Sequence, residues 1–287
     1  MATPVFSLTD LLKEQDEKRH SLIRNIQQTT GTKIVSYYSN FSHPAANIIR
    51  QDVVPFNDML TTLNFPKKLD LIIHSPGGIV EVTENIVSLI REHVEQFRVI
   101  VPEAAKSAGT LIALASNEIQ MSHLAELGPI DPAILIGIDP NTRQPVLRQA
   151  WAYINSLKRL EEELRGGRDP NIVIPLVHRI DPTLLDVARN ALQYSQSLAQ
   201  TWLQSYMKLD PQKASEVAKY FSDASLHLTH GRAIRLKEVA ELGLKAVKIP
   251  DSIWPMVYEL HIRSVTALQE RRVKLIECES NTVFFEA

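Results

Sequence analysis

The feature that most constrains this chain is an apolar run that ends abruptly in a proline and two glycines. Residues 69–74 read LDLIIH, and residues 75–78, which read SPGG, follow at once. A short run of nearly continuous apolar residues is typical of a strand that is covered on both faces of a parallel sheet. Residues 79–96 then repeat apolar side chains at helical spacing. The segment therefore predicts a buried strand, a tight glycine turn and a covering helix.

The same alternation of strand and helix continues on both sides of this unit, which is typical of an α/β sheet. Residues 272–287 alternate apolar and polar positions, which indicates an edge strand. Further strands are predicted at 33–38, 98–101, 118–122 and 244–249, and further helices at 5–30, 52–63, 107–116, 149–165, 181–209 and 251–270.

Composition narrows the classes of function. The chain has 287 residues, 44% hydrophobic and 22% charged, with a net charge of −2, and is long enough to bury a full core. The weak net charge and the 6% aromatic content argue against a nucleic-acid surface. The sequence contains no run of 18 apolar residues that would predict a membrane span, and no apolar stretch near Met1 that would predict a signal peptide. We therefore expect a cytoplasmic location.

Neither a metal nor a cofactor is predicted. Cys278 is the single cysteine of the sequence, so no intramolecular disulfide and no cysteine-based metal site can form. The sequence also lacks an HExxH motif, a Walker A motif and a GxGxxG motif.

A second motif begins about 30 residues after the first. Residues 104–110 read AAKSAGT and place Ser107 among small residues, directly before an apolar segment. A serine at a helix N-terminus lies beside free N–H groups and the positive end of the helix dipole. Gly77 and Gly78 can offer further backbone N–H groups, so the two motifs together indicate an acyl-transfer site. The alternatives are that Ser107 is simply an N-cap and that the glycines only form a turn.

Four stretches together resemble the serine dehydrogenase proteinases, a ClpP-like family of the ClpP/crotonase superfamily. The resemblance covers about residues 70–250 and implies an α/β fold with a ClpP/crotonase-like βαβ spiral core and additional long helices. It divides the chain into an N-terminal helical extension (1–32), a peptidase domain (33–250) and a C-terminal helix and tail (251–287). The stretches are residues 73–78, 106–121, 127–132 and 229–244.

The resemblance also implies roles for individual residues. Ser107 would be the nucleophile, with the amides of Gly77, Gly78 and Ala108 as the oxyanion hole. The ClpP proteolytic subunit carries its catalytic histidine about 25 residues after the serine, where this chain has Asp131 instead. The order Ser, Asp, His that is attributed to the family fits Ser107, Asp131 and His230, with His230 as the base and Asp131 as its orienting acid.

Several alternatives stay open for the base. His123 and His178 compete with His230, and an ordinary Asp-Pro turn or a helix cap competes with the triad role of Asp131. A serine–lysine dyad, as in signal-peptide peptidases of the same superfamily, would need a lysine between residues 139 and 150. That segment holds only arginines, which cannot serve as a base; Lys106 and Lys158 are the nearest lysines.

The resemblance implies a serine peptidase that hydrolyses peptide bonds of a peptide or unfolded protein through an acyl-enzyme. It needs no cofactor, and the superfamily implies a homo-oligomer; whether an unfoldase partner is required is left open. The alternatives are a crotonase-like acyl-CoA hydratase or isomerase and a catalytically inactive scaffold.

Overall fold

The computed structural model describes residues 15–143, 145–268 and 271–286. Its strands are β1 (Lys33–Ser39), β2 (Lys68–His74), β3 (Gln96–Val101), β4 (Ala104–Ala105), β5 (Glu118–Met121), β6 (Glu126–Leu127), β7 (Ala133–Ile138), β8 (Pro145–Gln149), β9 (Ala246–Lys248), β10 (Arg272–Glu277) and β11 (Thr282–Glu286). Its α-helices are α1 (Gln15–Thr30), α2 (Val53–Thr62), α3 (Val80–His93), α4 (Ala108–Leu114), α5 (Ala150–Arg165), α6 (Pro170–Val177), α7 (Pro182–Ser205), α8 (Pro211–Ser222), α9 (Ala224–His227), α10 (Leu236–Glu241) and α11 (Trp254–Ala267).

A seven-stranded sheet organises the fold, with its strands in the spatial order β11-β10-β1-β2-β3-β5-β9. The five strands from β1 to β9 in this order are parallel, whereas β10 and β11 are antiparallel to their neighbours. β4 and β6 form a separate parallel pair, and β7 and β8 form a hairpin. The long helices α5, α7 and α11 are additions to this βαβ core. These features confirm the predicted α/β fold class.

The structure differs from the sequence predictions in a few elements. The predicted edge strand in the tail is two strands, and β10 is interior because it lies between β11 and β1. The hairpin formed by β7 and β8 was not predicted, since its prolines and glycine conceal the alternation. The first part of the predicted helix at 5–30 lies outside the described residues, which begin at Gln15. The proposed domain boundaries at residues 32 and 250 stay predictions.

Both faces of the sheet are buried because consecutive strand residues point to opposite sides. In β1, Tyr37 packs into the cluster that α2, α3, α4, α7 and α8 cover, whereas Tyr38 packs into the cluster under α1 and α11. In β2, Ile73 belongs to the first cluster and Ile72 to the second. This two-sided burial explains why the strands read as continuous apolar runs. Within the described residues, no helix combines the length and the apolar character needed to cross a bilayer.

Two buried ion pairs lie at the antiparallel end of the sheet. Arg19 of α1 donates from Nε to both carboxylate oxygens of Glu277 in β10, at 3.0 and 2.9 Å, and both side chains are fully buried. Lys274, also in β10, lies 2.6 Å from the buried Asp52. Burial raises the pKa of Glu277, and the neighbouring guanidinium of Arg19 opposes that rise. The two pairs tie α1 and the loop before α2 to the antiparallel end of the sheet.

The substitution Glu277→Gln is expected to lower the free energy of unfolding by about 3 kcal/mol, since it removes the buried carboxylate of Arg19 and leaves that guanidinium only the exposed Asp16 as an ionic partner. A matched control is Glu95→Gln, because Glu95 pairs with Lys67 at 3.0 Å and both side chains are 72% exposed. That control is expected to change stability by less than about 1 kcal/mol. Urea unfolding curves of the two variants measure the difference, and equal losses would contradict the assigned importance of the buried pair.

Candidate active site

Ser107 lies at the turn from strand to helix, between β4 and the first residue of α4. Its backbone has φ 50° and ψ −117°, in a region that residues other than glycine rarely occupy. Ser107 occupies the N-cap position of α4, but its hydroxyl makes no capping hydrogen bond to the helix. Such backbone strain costs on the order of 1–3 kcal/mol and is concentrated at functional sites. A serine held in this way presents its hydroxyl at the mouth of the sheet.

The glycine turn packs directly against this serine. Gly77 has φ 103°, and a Cβ on it would lie 2.6 Å from Ser107 Cβ and 2.9 Å from Ala108 N. A Cβ on Gly78, which has φ 156°, would lie 2.3 Å from Ile48 N. Glycine is therefore required twice, both for the backbone conformation and for the close approach of two chain segments.

Two backbone amides at this turn remain available to an oxyanion. Gly77 N donates to Ser75 Oγ at 3.2 Å. In contrast, the amides of Gly78 and Ala108 make no hydrogen bond to any residue that the structure describes. Ala108 N also belongs to the first turn of α4, where the helix dipole favours negative charge. Of the three amides that the sequence suggested, those of Gly78 and Ala108 are thus free to bind a ligand, whereas Gly77 brings the turn close to Ser107.

Main-chain hydrogen bonds hold the turn in place. Ser75 N donates to Ala104 O at 3.0 Å, and Lys106 N donates to Ser75 O at 2.9 Å. On the opposite side, Ile48 N donates to Gly77 O at 2.7 Å. The segments on both sides of Gly77 are thus hydrogen-bonded to adjacent segments of the same polypeptide, so Gly78 and Ser107 keep fixed positions relative to each other.

Ser107, Gly78 and His230 line one cavity of about 610 Å³. Its other walls come from the loop after the turn, the start of the β7–β8 hairpin and helix α7. Apolar side chains dominate them. They include Ile49, Ile79, Pro132, Ala133 and Leu147.

His230 is the candidate base that shares this cavity with Ser107. Burial, and then the positive charge of Lys106, lower the pKa of His230 below 6.5, so its imidazole is neutral at neutral pH and able to accept a proton. Its Nδ1 atom is buried and has no hydrogen-bond partner among the described residues. A buried nitrogen without a partner is costly, which marks it as a position where a hydrogen-bonding group is needed.

Lys106 connects the turn at Ser107 to the loop that carries His230. Its ammonium group lies 3.4 Å from Gly231 O and 3.2 Å from Arg232 O, and it pairs with Glu126 at 2.6 Å. The residue before Ser107 therefore anchors the residues that follow His230. Because Lys106 is engaged in these contacts, the geometry gives no support to it as the base of a serine–lysine dyad.

The other histidines that the sequence suggested lie elsewhere. His123 lines a different cavity and packs edge-on against Trp254. His178 is exposed at the end of α6. His227 has both ring nitrogens occupied, by Tyr220 O and by the guanidinium of Arg232. Among the histidines of the described chain, His230 is the one that lines the cavity of Ser107.

Asp131 is buried beside the cavity and is not joined to the other two residues. Its Oδ1 accepts a hydrogen bond from Trp151 N at 3.1 Å, in the first turn of α5. Burial raises the pKa of its carboxyl from 3.8 to about 6. Within the described residues, no hydrogen bond or ion pair links Asp131 to His230, or His230 to Ser107. Catalytic hydrogen bonds are often formed only when substrate is bound, so this geometry leaves the triad open.

Several polar side chains that line the cavity were not predicted from the sequence, among them Glu81 and Tyr194. Glu81 lies in the first turn of α3, three residues after Gly78, and could have been found from the predicted turn-to-helix junction. Tyr194 comes from the middle of α7 and is hydrogen-bonded to Glu84. No local signal marks Tyr194, because only the packing of α7 brings it to the cavity.

The parallel sheet, the glycine turn and the serine before α4 fit the α/β fold that the resemblance implied. Residues 57–144 match the model of a family described as ClpP-like SDH-type serine proteinases. This match confirms the family that the sequence motifs predicted. The matched segment includes Gly77, Gly78, Ser107 and Asp131 and ends before His230.

Similar proteins are found in an archaeon and among solved structures. Uncharacterized protein MJ0137 of Methanocaldococcus jannaschii is 31% identical over 192 residues, which are 67% of this chain and 58% of that protein. This chain therefore spans less than two thirds of the length of that relative. Uncharacterized protein MJ1495 of the same organism is 26% identical over 260 residues, 85% of this chain and 75% of that protein.

Two solved structures show weak overall similarity. A mutant of the 1510-N membrane-bound stomatin-specific protease in complex with a substrate peptide gives a TM-score of 0.44 at 17% identity, covering 84% of this chain and 83% of that chain. ClpP1 from Listeria monocytogenes gives a TM-score of 0.43 at 14% identity, covering 80% of this chain and 99% of that chain.

The substitution Gly77→Ala is expected to move Ser107 away from the Gly78 amide, since the new Cβ has no space beside Ser107. Loss of an oxyanion donor typically lowers the rate about 100- to 1,000-fold, so the rate of labelling by a fluorophosphonate probe should fall by at least about 100-fold. Gly137→Ala is the control, because a Cβ there meets no atom within 4 Å. Wild-type labelling by Gly77→Ala would contradict the close packing of the turn on the serine.

The substitution Asp131→Asn is expected to change how stability depends on pH. The native carboxyl holds its proton more tightly than the unfolded chain does, since its pKa is about 6 instead of 3.8. The stability of the wild-type protein is therefore lost progressively as pH rises from about 4 to 6 through this group. Asparagine cannot ionise, yet its amide oxygen can still accept from Trp151 N. The variant should be about 2–3 kcal/mol more stable than wild type above pH 6 and equal to it near pH 4.

Urea unfolding of both proteins at pH 4, 5 and 7 measures this difference. Asp139→Asn is a suitable control because Asp139 is exposed and backbone hydrogen bonds from Thr142 and Asn141 lower its pKa, which reverses the sign of the effect. A difference between wild type and Asp131→Asn that does not vary with pH would contradict the burial of the charged form.

Proposed function

We propose that this protein is a serine peptidase that cleaves peptide bonds through an acyl-enzyme on Ser107. The observation that carries the proposal is the strained backbone of Ser107 in a cavity that it shares with His230 and with the free amide of Gly78. The match to the ClpP-like SDH-type serine proteinase family supports the same chemistry.

In the proposed reaction, His230 takes the proton of the Ser107 hydroxyl while the oxygen attacks the carbonyl carbon of the scissile bond. The negative charge that develops on the carbonyl oxygen accepts hydrogen bonds from Gly78 N and Ala108 N. His230 then gives its proton to the leaving amine, and the acyl-enzyme forms. A water molecule, deprotonated by the same imidazole, hydrolyses the ester and restores Ser107.

Asp131 completes the proposed triad. His230 Nδ1 lacks a partner, and the single hydrogen bond that a described residue donates to Asp131 comes from Trp151 N. A carboxylate that reached Nδ1 would fix the tautomer with the proton away from Ser107 and stabilise the imidazolium that forms. Since Asp131 also accepts from the first turn of α5, we propose that binding of substrate against Pro132 and Ala133 brings the acid and the base together.

An extended segment of polypeptide suits the cavity. Ile79 and Leu147 line it and remain 47% and 48% exposed, so they offer apolar surface to a bound side chain. An unfolded protein exposes such segments, whereas a folded one hides them. The cytoplasmic location, the homo-oligomeric state and the choice between a peptide and an unfolded protein stay predictions that accompany the proposal.

The substitution Ser107→Ala is expected to abolish labelling by a fluorophosphonate probe and to lower the hydrolysis of unfolded casein by at least about 1,000-fold. Ser225→Ala is the matched control, since Ser225 is an exposed serine on α9 that is hydrogen-bonded to Asp223. Mass spectrometry of the labelled protein identifies the modified residue. Labelling that persists in Ser107→Ala would contradict the assigned nucleophile.

Variants of the other two residues separate the triad from its alternatives. His230→Gln should lower kcat/KM by at least about 1,000-fold, whereas His123→Gln should leave it within a factor of two of wild type. Asp131→Asn should lower kcat/KM by at least about 100-fold while its stability at pH 7 rises. If Asp131→Asn kept full activity, Asp131 would be only a cap of α5. A non-catalytic scaffold would neither label nor cleave casein.

A further inference from the structure

A second group of reactive side chains lies at the end of β2, on the face of the sheet opposite to the cavity of Ser107. His74 is the last residue of β2, Glu103 precedes β4, and His261 lies on α11. One possible ligand atom from each of the three lies within 4.8 Å of the other two. None of them lines the cavity of Ser107.

The spacing of the three groups suits one metal ion. Glu103 Oε2 lies 3.7 Å from His74 Nδ1 and 3.0 Å from His261 Nε2. In a tetrahedral zinc site with bonds of about 2.0–2.1 Å, adjacent ligand atoms are about 3.3–3.4 Å apart. The two measured distances lie on either side of this value, and the ligand atoms of the two histidines lie within 4.8 Å of each other.

Both imidazoles are buried and have an unused nitrogen. His74 and His261 are 6% and 4% exposed, and neither Nδ1 atom has a hydrogen-bond partner among the described residues. Neutral imidazoles and an ionised carboxylate are the forms that bind metals. A metal bound to His74 Nδ1 would use a lone pair that has no hydrogen-bond partner among the described residues, and His261 would offer Nε2, the atom that faces Glu103.

We propose that His74, Glu103 and His261 form a binding site for Zn²⁺ or a similar divalent transition metal. Two histidines and one glutamate form a known three-ligand set for zinc and leave a fourth position open. Here the open side faces a cavity of about 660 Å³ that Asn40, Phe41 and His123 also line. The rings of Tyr38 and Phe41 lie beside the two histidines and limit their movement.

No metal site was predicted from the sequence because the three ligands come from distant positions and form no recognised motif. The topology brings the ligands together: the parallel pairing of β2 with β3 aligns the ends of both strands, and α11 packs across them.

A metal bound at this site would also restrain the glycine turn on the opposite face of the sheet. His74 is followed by Ser75, whose Oγ accepts from Gly77 N and whose main chain bonds to Ala104 and Lys106. Fixing the His74 side chain would restrain the strand end from which the glycine turn begins. We expect a bound metal to stabilise the fold, whether or not Ser107 is a nucleophile.

The experiment uses the full chain after removal of metals with a chelator. Equilibrium dialysis against Zn²⁺ should give one equivalent per chain, and Co²⁺ should give the visible absorption bands of a four- or five-coordinate site. Thermal unfolding should shift to higher temperature on addition of Zn²⁺. His261→Gln and Glu103→Gln should each weaken binding by at least about 10-fold.

His123→Gln is the matched control, because His123 lines the same cavity outside the cluster. It should bind Zn²⁺ as wild type does. Circular dichroism of the metal-free proteins shows whether each variant is folded. If the histidine variant does not fold, Glu103→Gln still tests the site, because the Glu103 side chain is half-exposed. Less than one tenth of an equivalent bound by wild type, or equal binding by wild type and the folded Glu103→Gln variant, would overturn the proposal.

Discussion

The close contact between the glycine turn and the strained serine is the constraint on which the rest of the site depends. Gly77 approaches Ser107 so closely that no side chain fits between them. This contact requires β2 and β4 to end side by side, which the hydrogen bonds of Ser75 to Ala104 and Lys106 ensure. The parallel sheet thus does more than form a core, because its strand ends determine where the amides of Gly78 and Ala108 lie.

The strain at Ser107 is maintained by contacts that reach far along the chain. Lys106 bonds to the carbonyls of Gly231 and Arg232, more than 120 residues away, and also to Glu126. The same lysine lowers the pKa of His230. The side chain of Lys106 therefore positions the loop of His230 and favours the neutral form of its imidazole, so a charge beside Ser107 contributes to the site without acting as a base.

Much of the fold was predictable because local patterns and tertiary packing agree. The run at residues 69–74 is apolar because both faces of β2 are buried, and the helix at 79–96 is amphipathic because one face of α3 packs on the sheet. Ser107 and Gly78 were also predictable, since each sits at a turn with its own local signal. Tyr194 was not, because it reaches the cavity only through the packing of α7, and the hairpin of β7 and β8 escaped because its register contains an irregularity near Gly137.

The relation between Asp131 and His230 shows where sequence reasoning ends. The order of the residues indicates a triad, whereas distance and orientation decide whether one exists. Asp131 accepts a hydrogen bond from α5, whereas the buried Nδ1 atom of His230 has no partner among the described residues.

On the other face of the sheet, the buried Nδ1 atoms of His74 and His261 likewise have no hydrogen-bond partner in the part of the chain that the structure describes. Buried polar groups without partners are uncommon in folded proteins, since each one costs free energy. Here they lie on both sides of the end of β2. Because side chains alternate along a strand, His74 faces α11, while the chain that follows turns toward α4. The end of β2 therefore borders two candidate sites. The Nδ1 atoms of His230 on one face and of His74 on the other indicate where a hydrogen-bonding group or a ligand is needed.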